Sequence, residues 1–119
     1  MEPQKYIKQG WPPFGKFDDE IQAAADWLLN WIIAQPDYDS QELRIEHDLD
    51  DPSMPEWLFV GAGGQRMRTE QWIDLDYDYP LMSGEAHYGL MMIRVTEHGL
   101  AQINHQRDQS PDTPLRFVC

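Results

Sequence analysis

The residues whose types and spacing suggest chemistry are mostly carboxylates. Asp74, Asp76 and Asp78 alternate with Leu75 and Tyr77, and Glu46, Asp48, Asp50 and Asp51 form a second group. Side chains on one face of a β-strand recur every two residues, about 6.6–6.8 Å apart. That interval is comparable with successive phosphates along a nucleic-acid strand, so a rigid row of this kind suits a Lys/Arg-lined groove on another protein. The plain alternative is a solvated outer face that protects a sheet edge from aggregation. Against it, these carboxylates carry almost no interleaved Lys or Arg. Like charges in one row repel, so the fold itself gains little from them.

Other candidate constellations are weaker. Asp74, Asp76, Asp78 and Glu85 match positions 1, 3, 5 and 12 of a calcium loop, but Tyr79 stands where that loop needs glycine and Pro80 follows. A residue before proline is steered into extended geometry, which favours a strand over a calcium loop. His47, His87, His98 and His105 are scattered, with nothing beside them to complete a metal site. Asp26 with Glu46 or Asp48 has no spacing that defines an acid–base pair. Gly61-Ala62-Gly63-Gly64 lacks the Lys-Ser/Thr of a phosphate loop and reads as a hairpin turn or bulge. Met67, Met82, Met91 and Met92 suit core filling or adaptable contact. These observations predict no catalytic residue, no cofactor and no metal.

The chain has 119 residues and a formal net charge of -12, with the acid denser in the N-terminal half. That length predicts one domain over residues 1–119. Apolar residues make up 41% and there are 5 Trp, enough to build a core despite the charge. The surface repels phosphate backbones and anionic lipid, which disfavours direct nucleic-acid binding and favours a basic protein partner. The single cysteine, Cys119, allows no internal disulfide and suits a reducing compartment. Neither a signal-peptide pattern nor a membrane-length apolar run is evident, so the expected location is cytoplasmic.

The elements that must position these residues follow from periodicity. Asp18, Asp19 and Glu20 suit a helix N-terminus, and Ile21, Ala24, Ala25, Leu28, Leu29 and Ile32 recur at three and four spacings, predicting a helix over Asp18–Gln35 closed by Pro36. The segment Gly10–Gly15 is expected to strap Trp11 and Phe14 over that helix and to cover Trp27. Period-two alternation predicts antiparallel strands over Glu42–Leu49 and Gln71–Tyr79. The apolar run Glu56–Val60 reads as a further strand and Tyr88–Val95 as a central one. Thr96 suits the N-cap of a closing helix over Glu97–Gln106, with Val95 and Leu100 as its hydrophobic staple. A turn over Ser110–Pro114 then leads to Leu115–Val118, expected to add an edge strand. The predicted class is α+β: a long N-terminal amphipathic helix on a small antiparallel sheet, with a short C-terminal helix.

The stretch from Tyr88 to Ile103, with Arg94-Val95-Thr96 running into a helix that carries Gly99, resembles the wing strand and final helix of winged-helix domains. It spans 16 of 119 residues. That resemblance implies a DNA-binding regulator or a protein-interaction module. Its basic recognition helix has no counterpart between Pro36 and Thr69, and the only cations for a local patch are Arg66, Arg68, Arg94 and Arg107. The expectation from the residues is a non-catalytic intracellular inhibitor. It would dock Asp74, Asp76, Asp78, Glu46, Asp48, Asp50 and Asp51 on a basic, nucleic-acid-handling partner. Nuclease immunity proteins, DNA mimics and phage anti-defence inhibitors share that style.

Overall fold

The computed structural model describes residues 17–46, 50–78 and 90–118. Its elements run α1 (Phe17–Ile33), β1 (Leu43–Glu46), α2 (Trp57–Thr69), β2 (Ile73–Asp78), β3 (Leu90–Val95) and α3 (Glu97–Gln109). The class is α+β, with α1 the longest helix, on a sheet ordered β1-β3-β2 in which both pairings are antiparallel. β3 is therefore central, as its apolar run predicts. The strap over Gly10–Gly15, residues 47–49 and residues 79–89 lie outside the described residues.

α1 forms where its periodicity requires. Ala24, Ala25, Leu28, Leu29 and Ile32 are fully buried, while Asp18 and Asp19 lie exposed in the first turn. The helix stops two residues short of the expected Gln35. The amides of Ala34 and Gln35 still bond back to Asn30, Trp31 and Ile32 as the turn tightens ahead of Pro36. Asp37 then takes a left-handed conformation (φ 57°), one that Asp tolerates better than most residues. Trp27 and Trp31 are half-buried against the core.

The strand expected over Glu56–Val60 is instead the first turn of α2, and Gly61-Ala62-Gly63-Gly64 is helix rather than hairpin or bulge. Glycine weakens an isolated helix by about 1 kcal/mol per residue. Packing reverses that preference here. A Cβ on Gly63 would stand 2.8 Å from the Ala25 amide nitrogen, and one on Gly64 would meet Leu75, Leu28 and Met91. The small residues let two helix backbones come together over the sheet. α2 ends in a Schellman motif, with Trp72 N–H donating to Met67 O and Gln71 N–H to Arg68 O. Gln71 takes the left-handed position (φ 66°) usually given to glycine.

The sheet presents Leu43, Ile45, Ile73, Met91, Ile93 and Val95 to the core. At its end, Thr96 caps α3 as expected, its Oγ1 accepting from the Gly99 amide at 2.9 Å. The same hydroxyl lies 2.5 Å from Gln71 O and 3.0 Å from Trp72 O. A Cβ at Gly99 would overlap the Trp72 carbonyl, so the Thr-x-x-Gly spacing fits the joint between β2 and α3. α3 runs three residues beyond the expected Gln106. The turn at Ser110 forms, with Thr113 N–H on Ser110 O. Leu115–Val118 does not add an edge strand. Side chains of α1 and α3 take up its backbone groups instead.

Candidate functional site

The outer face of the sheet gathers the acidic candidates from two strands. Asp74 and Asp76 are exposed on β2, and Glu46 is exposed on β1. β2 and β1 flank β3, so their side chains on this face stand roughly 10 Å apart, twice the inter-strand spacing. Register places Asp74 opposite Arg94, Asp76 opposite Met92, and Asp78 opposite Leu90, with Arg44 and Glu46 across from Met92 and Leu90 on the other side. The alternation along β2 thus holds, with Asp74, Asp76 and the position of Asp78 on one face.

Pairing also brings cations to that face, which the linear sequence conceals. Arg94 faces Asp74 directly, and a cross-strand pair of opposite charge contributes about 0.2–1 kcal/mol. Arg44 lies 3.7 Å from Glu42, the residue just before β1. Asp76 and Glu46 stand opposite Met92 and Leu90 of β3, with Arg44 facing Met92 from the β1 side. Asp50 and Asp51 lie in the connection from β1 to α2. Asp51 Oδ1 accepts from Ser53 N–H at 2.9 Å and from its hydroxyl at 2.7 Å, a local turn closure. Asp48 lies outside the described residues. Asp74 and Asp76 belong to a strand rather than a calcium loop. Among the described residues no group of three or more His, Cys, Asp or Glu side chains gathers to hold a metal.

A second polar constellation escaped sequence reasoning. Gln22, Asp26 and Asn30 form one line along α1, and Gln106 stands on α3. Between them lies Leu115-Arg116-Phe117 in extended form. Asn30 accepts from Leu115 N–H at 2.9 Å and donates to its carbonyl at 2.9 Å. Gln106 does the same for Arg116, at 3.0 and 2.6 Å. Asp26 accepts from Phe117 N–H at 2.7 Å, and Gln22 donates to Phe117 O at 2.7 Å and to Asp26 at 3.0 Å. All six backbone groups are met. The i, i+4, i+8 spacing of three uncharged or acidic hydrogen-bonding residues was the available signal, but it is also what a solvated helix face looks like.

One carboxylate is buried outside both constellations. Glu20, on the first turn of α1, is 1% exposed, and neither carboxylate oxygen has a hydrogen-bond partner among the described residues. Burial, helped by the neighbouring Asp19 charge, holds its pKa above the ordinary value. No helix among the described residues is long and apolar enough to cross a membrane. No protein-family model, no curated protein and no solved structure matches this chain.

Proposed function

We propose that this protein is a non-catalytic, intracellular binding module that docks the outer face of its sheet on a basic partner and inhibits it, the natural class being a nucleic-acid-handling protein. The observation that carries the reading is the convergence of Asp74, Asp76 and Glu46 from two strands onto one exposed face of a three-stranded sheet. A sheet holds such groups at fixed intervals, so little side-chain ordering remains to be done on association. The net charge of -12 extends the attraction beyond contact, speeding encounter and making it sensitive to salt.

The test is capture of a partner from lysate at about 50 mM and about 500 mM salt, where screening differs several-fold in range. Three proteins are compared: the wild type, Asp74→Asn with Asp76→Asn, and a control of equal charge change, Asp108→Asn with Asp112→Asn. A basic protein held by wild type and control, but lost in the sheet-face variant and at high salt, is the expected result. Equal retention by all three overturns the reading, and equal loss from both variants reduces it to net charge alone. Duplex DNA bound by the protein by itself would instead favour the winged-helix-like regulator that residues 88–103 resemble.

A further inference from the structure

The three residues Leu115-Arg116-Phe117 are held as a β-strand is held, but by side chains. Asn30 and Gln106 each close a two-bond ring with one residue's N–H and C=O, and Asp26 and Gln22 divide the third between them. Alternate residues of an extended chain point their backbone groups to opposite sides, which is why Leu115 and Phe117 bond to α1 while Arg116 bonds to α3. Leu115 and Phe117 are buried, at 2% and 1% exposure, and Phe117 packs edge-on against Trp72 with ring centroids 4.9 Å apart. Arg116 is solvent-facing, its Nε 3.7 Å from Asp26 Oδ2. The groove therefore specifies an extended backbone and two apolar side chains, and leaves the middle position open with a carboxylate beside it.

Two further observations bear on what this groove is for. An open cleft of about 350 Å³ adjoins Phe117 on the side away from α3, lined by Gln22 of α1 and by Gln65, Arg66, Thr69 and Glu70 at the end of α2. The connection that delivers the segment, residues 110–114, is exposed throughout and contains Pro111 and Pro114. It lies beyond the last residue of α3, so displacing residues 115–117 does not require that helix to unwind.

We propose that the α1–α3 groove is a receptor for an extended segment of another protein, of the pattern hydrophobic–cationic–hydrophobic, and that residues 115–117 occupy it in cis until displaced. Backbone-directed bonds supply affinity, and the sockets for the first and third side chains supply specificity, the logic by which sheet edges take up peptides. Proline is excluded at all three positions, because each N–H donates. This surface shares no residue with the acidic sheet face, so either reading can fail alone.

The experiment titrates a fluorescent peptide, Pro-Leu-Arg-Phe-Val, into the full chain and into Phe117→Ala, which vacates one socket. A tethered segment competes at millimolar effective concentration, so the variant should bind the peptide at least about ten-fold more tightly than wild type. Adding Asn30→Ala to that variant, or placing proline at the peptide's arginine, should remove the binding. Should Phe117→Ala lack a cooperative melt, the decision passes to the unaltered protein. There, millimolar peptide should shift the side-chain amide resonances of Asn30 and Gln106. No binding by a folded variant, or no shift in the wild type, overturns the proposal. So does a wild-type dimer formed by mutual exchange of these segments, which would assign the groove to a second copy.

Discussion

Glu46 on β1 and Asp26 on α1 are carboxylates set to opposite work. Glu46 stands exposed on the outer sheet face, opposite Leu90. Asp26 is 23% exposed and accepts from the Phe117 amide and from Gln22, with Arg116 close by. Hydrogen bonds to a charged acceptor contribute about 1.5–3 kcal/mol when partly sheltered, whereas exposed ion pairs contribute about 0–1 kcal/mol. Charge that is spent on hydrogen bonds builds structure. Charge left at the surface is available for another molecule.

Substitutions in the clamp should therefore produce the larger losses of stability. Phe117→Ala empties a fully buried site against Trp72 and should cost about 3–5 kcal/mol. Asn30→Ala leaves the N–H and C=O of Leu115 without their partner and should cost about 1–3 kcal/mol. Both are read as a lower urea midpoint at unchanged slope. A loss from Asn30→Ala no larger than that of an ordinary exposed substitution would mean that water replaces the amide freely, and the contrast with the sheet face would collapse.

How far these regions were legible in sequence follows from the range of their interactions. The acidic row, α1, the central strand and the Thr96 cap are written in local periodicity and near-neighbour chemistry, and the structure places Asp74, Asp76 and Glu46 on one face. α2 was not legible, because Gly61, Gly63 and Gly64 punctuate a chain locally. Only the approach of Ala25 at Gly63 and of Leu28, Leu75 and Met91 at Gly64 turns this stretch into a packed helix. The clamp was hidden for a similar reason. Gln22, Asp26 and Asn30 sit where any helix carries polar residues, and their partners lie 85 to 95 residues away. Arg94 opposite Asp74 likewise depends on strand register, which the sequence alone leaves open.

Glu20 differs from both, being fully buried where Asp26 is partly exposed, and its carboxylate has no hydrogen-bond partner among the described residues. Its folded pKa is raised above the unfolded value, first by burial and then by Asp19. Between those two values the folded state holds more protons than the unfolded one, so stability falls as pH rises through the window and stays lower above it. Glu20→Gln should remove that slope and leave the variant more stable than wild type at neutral pH, with little difference below the unfolded carboxylate value. Urea midpoints measured from the unfolded carboxylate value upward follow that slope. A wild-type slope that survives the substitution would place the proton uptake elsewhere.

The smallest effect on stability belongs to the sheet face, and there Asp74 and Glu46 should differ. Asp74 has Arg94 opposite it, so Asp74→Asn should lose a coupling of about 0.2–1 kcal/mol, visible in a double-mutant cycle with Arg94→Ala at low salt. Glu46 faces Leu90, and Glu46→Gln should change stability by less than about 0.5 kcal/mol. Their order in association should be the reverse: Glu46→Gln, at a position with no arginine opposite it on β3, should slow encounter with a basic partner more than Asp74→Asn does. Association rates measured for both single variants against salt test this directly. If Asp74→Asn slows encounter as much as Glu46→Gln, the facing arginine does not screen its carboxylate from the partner, and the face acts through total charge rather than through the arrangement that the strand register imposes.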